Sequence, residues 1–81
     1  MTTTIRLKIQ KDIDPATEKK ILKLKGSLIT HGYTDIVHID DEGLEYHINY
    51  FTIAAEKKEE AISFIDNYCN GNSLDNLLWI L

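Results

Sequence analysis

Between His38 and His47 the chain reads HIDDEGLEYH, an imidazole at each end of a run that carries Asp40, Asp41, Glu42 and Glu45. Imidazole and carboxylate are the ligands of zinc centres, and the same groups move protons in general acid–base catalysis. Chelation needs both histidines side by side on one face, so the hairpin register decides what this stretch can do. If Glu42 and Gly43 are the two residues of a tight turn of the Asn-Gly kind, Asp41 faces Leu44, Ile39 faces Tyr46 and Val37 faces Ile48. His38 then stands opposite His47, and Asp40 opposite Glu45. One side collects Val37, Ile39, Leu44, Tyr46, Ile48 and Tyr50 as a core face. The other collects Ile36, His38, Asp40, Glu45, His47, Asn49 and Phe51. A three-residue turn with Gly43 as a bulge would set His38 beside Tyr46 and bury His47 beside Val37, which separates polar from apolar groups less well. The first register is therefore the expectation. His38, His47 and Glu45 are the residues a metal would use. Lacking a third fixed donor, they are more simply read as polar groups, with Arg6 and Lys8 of the neighbouring strand neutralising Asp40 and Glu45.

The remaining reactive side chains point to no chemistry. Cys69 is the sole cysteine, so it can form neither an intrachain disulfide nor a thiolate cluster, and its place late in an apolar helical pattern marks it as a small buried hydrophobe. His31 precedes Gly32 and reads as a helix-end residue turned toward the last carbonyls. Asp40 and Asp41 are adjacent, so a strand would send them to opposite faces and they could not share a proton. No Ser-His-Asp order and no phosphate-cradling glycine loop occurs. The chain is expected not to be an enzyme and to hold no cofactor.

The elements that must position these residues follow from periodicity. Residues 4–10, TIRLKIQ, alternate strictly, with Ile5, Leu7 and Ile9 on one side and Thr4, Arg6, Lys8 and Gln10 on the other: a half-buried strand. Asp14 and Pro15 open a helix as cap and first helical residue. Ile21, Leu24 and Leu28 form its inner stripe, widened by Leu22 and Ile29, and Gly32 ends it. From Tyr33 to Ile53 the period falls to two and predicts two antiparallel strands around the DEG turn. EKKEEAISFIDNYCNG returns to helical spacing, with Ala61, Ile65 and Tyr68 inward and Gly71 at its end. SLDNLLWIL predicts a last strand.

Strand, helix, strand, strand, helix, strand in one chain of 81 residues predicts a single α+β domain over 1–81. Its layout resembles the ferredoxin-like, split βαβ sandwich (βαββαβ): a four-stranded antiparallel sheet with two helices on one face. Metal-carrying proteins of that superfold have Cys-x-x-Cys in the first loop, where this chain has KDID. Acylphosphatase-like ones use an arginine there, whereas Arg6 lies inside the strand. RNA-recognition motifs display aromatics on the outer face of the first and third strands, and the first strand here has none. Small-molecule-sensing domains of this layout carry a glycine-marked loop with no counterpart here. The resemblance thus implies a fold and leaves the function open.

Composition narrows the partners. A net charge of −4 disfavours wrapping nucleic acid, whose affinity comes from phosphates neutralised by Lys and Arg. No apolar run is long enough to span a bilayer, and Arg6 and Lys8 interrupt the hydrophobic residues of the first segment, so neither a membrane nor a signal peptide is expected and the location is read as cytoplasmic. More apolar surface remains than a core beneath two helices can use: Leu77 to Leu81 are apolar on both strand faces, and Ile36 and Phe51 fall on the uncovered side. The chain is therefore read as a small protein-binding module, of the adaptor, inhibitor or immunity type. Its partner is a protein or a second copy, bound through the open sheet face and the last strand by Ile36, Phe51, Leu77, Trp79 and Leu81. The alternative is a small-molecule-sensing or metal-binding oligomeric domain.

Overall fold

The computed structural model describes all of Met1–Leu81. Strand β1 (Thr2–Gln10) buries Ile5, Leu7 and Ile9 as its alternation requires. Helix α1 (Pro15–Thr30) starts where Asp14 accepts a hydrogen bond from the Thr17 N–H at 2.7 Å, with Pro15 placed where a missing N–H costs nothing. It stops at Gly32, whose φ of +77° lets its own N–H donate to the Ile29 carbonyl and the Tyr33 N–H donate to that of Leu28, both at 3.0 Å. Strands β2 (His38–Glu42) and β3 (Tyr46–Ala54) follow, then a single 3₁₀ turn, helix α2 (Lys58–Gly71) and the short β4 (Leu78–Ile80).

The four strands form one antiparallel sheet in the order β2-β3-β1-β4, so the architecture is an α+β sandwich. The core is a single cluster. It joins Ile5, Leu7 and Ile9 of β1 and Phe51 and Ile53 of β3 to Ile21, Leu24 and Leu28 of α1 and to Ala61, Ile65 and Cys69 of α2. Leu22 and Ile29, expected to widen the α1 stripe, are exposed instead. The helices are tied by side chains as well as by packing. The Tyr68 hydroxyl donates to the Lys20 carbonyl at 2.7 Å, and the Tyr33 hydroxyl to Glu60 Oε2 at 2.7 Å.

The hairpin register differs from the expected one. The turn is Gly43, Leu44 and Glu45, closed by Glu42 against Tyr46, and His38 pairs with Tyr50 while Asp41 pairs with His47. Gly43 supplies the positive φ, +67°, that this turn requires. Lys11 holds it from the end of β1, with its N–H on the Glu45 carbonyl at 2.8 Å and its ammonium on the Gly43 carbonyl at 3.0 Å. β3 itself is a central strand with apolar residues on both faces, so alternation within the hairpin could not choose its inner side. Its pairing with β1 chooses: Ile5 lies across from Phe51, which sends the odd-numbered residues of β3 toward the helices.

Candidate functional site

Reversing β3 changes what the open face displays. Across the sheet, residues facing away from the helices line up in rows: Trp79, Lys8, Ile48 and Asp40 in one, Arg6, Tyr50 and His38 in the next, Gln10, Tyr46 and Glu42 in a third. The face is therefore striped by strand. β1 supplies Arg6 and Lys8, β3 supplies Tyr46, Ile48 and Tyr50, and β2 supplies His38, Asp40 and Glu42. The aromatic rings are held in place. Tyr46 meets Trp79 edge-on at 5.9 Å between centroids, Lys8 Nζ lies 4.3 Å above the Tyr46 ring, and His38 stacks on Tyr50 at 5.0 Å. Lys8 also reaches Glu42 at 3.8 Å. Ile48 is buried among these neighbours although it takes no part in the helix-side core.

The residues expected to form an interface divide. Trp79, 39% exposed, lies on the open face; Ile36 at 57% and Leu81 at 61% lie exposed just before β2 and just after β4. Phe51 does not belong with them. It is fully buried in the core, because the register that the hairpin pattern favoured had its face inverted. Leu77 is likewise half-buried, packs against the core, and its carbonyl accepts from the Gln10 N–H at 2.9 Å. Tyr46 and Tyr50, expected inside, take their place on the outer surface. The signal that would have placed them is the pairing of Phe51 with Ile5, a contact between strands far apart in the chain.

The histidine cluster is also corrected. His38 is on the open face and His47 on the helix side, so one ion cannot bridge them, and Glu45 sits in the turn. No group of three or more His, Cys, Asp or Glu side chains converges anywhere in the molecule. His47 instead faces Asp41, with Nδ1 3.2 Å from Oδ1 but off the direction of a hydrogen bond, while Lys11 approaches the same carboxylate oxygen at 3.2 Å. These contacts, Lys11 before His47, hold the Asp41 carboxyl below its ordinary range. Cys69 is buried beside Ile65 in the α2 stripe, and burial pushes its thiol up to about 11.

On the helix side a cleft of about 290 Å³ opens between α1 and the β2–β3 edge, lined by Ile9, Ile21, Leu22, Ile39, His47 and Asn49 among others. Asn49 is 2% exposed, and its Oδ1 has no hydrogen-bond partner. No helix is long and apolar enough to cross a membrane. Compared with protein-family models, curated proteins and solved structures, the chain shows no match.

Proposed function

We propose that this chain is a small, non-enzymatic binding module of ferredoxin-like, split βαβ topology that takes a protein partner on its open sheet face and last strand. The observation that carries the reading is the stripe of Tyr46, Tyr50 and Trp79 on a face that no helix covers. Tyrosine and tryptophan combine large contact area with a polar edge that tolerates water before binding, and they dominate the energetics of protein interfaces. The sheet order β2-β3-β1-β4 supports the topology, since it interleaves two βαβ crossovers. A lone cysteine kept as a buried free thiol suits the reducing cytoplasm.

The test is affinity capture from the native host. A partner retained by the wild type should be lost from a Tyr50→Ala/Trp79→Ala variant whose circular dichroism is unchanged. Capture retained by that folded variant would sink the site, and a turnover activity surviving purification would sink the whole class of reading.

One arrangement favours a second copy as partner. Turning another molecule about an axis running along β3 sets its acidic β2 over the basic β1 of the first: Lys8 meets Asp40, and Ile48 meets Ile48, in the same row. A face that is basic on one flank, apolar in the middle and acidic on the other is complementary to itself, as an isologous interface requires. Light scattering at micromolar concentration should then report a dimer that Trp79→Asp weakens. A monomer at every concentration removes the self-association.

A further inference from the structure

We propose that the cleft between α1 and the β2–β3 edge binds a small apolar carboxylate, with its ring or chain along the cleft and its charge on the Lys25 ammonium. This site lies on the opposite side of the sheet from the protein-binding face and is independent of it.

The motive is Lys25. Glu18, Ile21, Leu22 and Lys25 recur at i, i+3, i+4 and i+7 and so share the flank of α1 that borders the cleft. Lys8, Lys11 and Lys20, all half-buried, each reach an oxygen: Lys8 that of Glu42, Lys11 those of Asp41 and Gly43, Lys20 the carbonyl of Asn72. Lys25 is half-buried too and reaches none. Glu18 attracts it without closing an ion pair, and desolvation outweighs that attraction, so the ammonium is held below the usual lysine pKa. A cation partly stripped of water and left without a counter-ion gains more from an arriving anion than do Lys19 and Lys23, the exposed lysines of the same helix.

The walls define the rest of the ligand. Ile9 and Ile21 form a buried floor, while Leu22 on α1 and Ile39 on β2 are more than half exposed and leave apolar surface in water on both sides of the cleft. Asn49 Oδ1 and His47 Nδ1 are sealed from solvent and lie out of a ligand's reach, so the Lys25 ammonium is the contact for its polar end. An apolar cavity of roughly 150 Å³ admits one benzene ring; a cleft of about 290 Å³ therefore has room for a fused pair of rings or a chain of similar size. The charge is single. Lys11 is already engaged by Asp41 and Gly43, so a second negative charge would find no second free cation in the cleft. Glu18 is exposed, and the water around it weakens its repulsion of a monoanion, whereas the ammonium is only partly in water.

Naphthoate and naphthamide test this directly, because they share a shape and differ in charge. Titrated at millimolar concentration into ¹⁵N-labelled protein, naphthoate should shift the amides of Ile9, Ile21, Leu22, Lys25 and Ile39. Naphthamide should bind roughly tenfold more weakly, the order expected for one charge-assisted hydrogen bond. Acetate, which carries the charge without the ring, should leave those amides unmoved. In Lys25→Met, which keeps the apolar stem and the helix propensity, the two aromatic probes should bind equally, and Lys25→Arg should retain the preference for the acid. A ¹³C titration of the Lys25 Cε resonance adds a readout that a merely structural lysine would not move: with naphthoate bound, its midpoint should rise. Absence of localised shifts, equal binding of the two probes by the wild type, a preference that survives Lys25→Met, an unmoved Lys25 midpoint, or shifts scattered over the exposed lysines of α1 would overturn the proposal.

Discussion

Phe51 and Trp79 are both aromatic, both on strands paired to β1, and truncation should affect them through different physics. Phe51 is enclosed on all sides by the core, so Phe51→Ala leaves a cavity and should cost ~3–5 kcal/mol in urea unfolding. Trp79 leans on Tyr46 from the surface, and Trp79→Ala should cost only about 1 kcal/mol, the scale of an aromatic pair. Equal losses would mean that Trp79 is a core residue and not a contact surface. Proton equilibria give a second residue-level expectation. Burial raises the Cys69 thiol from 9.0 to about 11, burial also raises the Tyr68 hydroxyl, and the hydrogen bond to Glu60 raises that of Tyr33. In each the fold favours the protonated form, so the stabilisation is whole below the unfolded value and lost as pH rises through the folded one. Urea midpoints should therefore fall between pH 9 and 11, and Cys69→Ala should make that fall shallower. An unchanged profile in Cys69→Ala would show that the thiol does not titrate with unfolding.

Among the elements, α1 carries two glycines that ought to respond in opposite directions. Gly26 lies in the exposed middle of the helix with open space around it, and Gly26→Ala should stabilise by about 0.5–1 kcal/mol. Gly32 also has open space around it but sits at φ +77°, so Gly32→Ala should cost about 1 kcal/mol through backbone strain alone. Thermal unfolding of both variants measures the contrast, and shifts of the same sign would discount the αL cap. This helix was legible in the sequence because its determinants are local: Asp14, Pro15 and Gly32 each act within one turn. β1 was legible because only one of its faces is apolar. β3 was not, because Tyr46, Ile48 and Tyr50 on one face rival Phe51 and Ile53 on the other, and the arbiter is a pairing with β1 that local pattern does not contain. That one ambiguity misplaced Phe51, Tyr46, Tyr50 and His47 together, since a strand's faces exchange as a unit, whereas His38 of β2 keeps the open side expected of it. Asn49 was placed on the uncovered side for the same reason, so the sequence held no hint of the cleft.

At the scale of the whole molecule, the striped face makes a prediction about charge. If two copies meet with Lys8 over Asp40, Lys8→Glu should weaken the dimer and added salt should weaken the wild type. Lys8→Glu combined with Asp40→Lys should restore association, because the double variant exchanges the flanks without altering their complementarity. Sedimentation equilibrium reads all three, and a double variant no better than Lys8→Glu would exclude that pairing. The sheet order has a further consequence, in time rather than in space. Its two central strands are the first and third in the chain, and their nearest pair, Gln10 with Tyr46, spans all of α1 and β2. Only the helices and the β2–β3 hairpin can form from neighbouring residues; the middle of the sheet has to wait for a long loop to close, at the entropy cost such closure carries. Until β1 arrives, β3 has no neighbour on one edge, so the half-made molecule briefly presents an open strand edge that the finished one conceals.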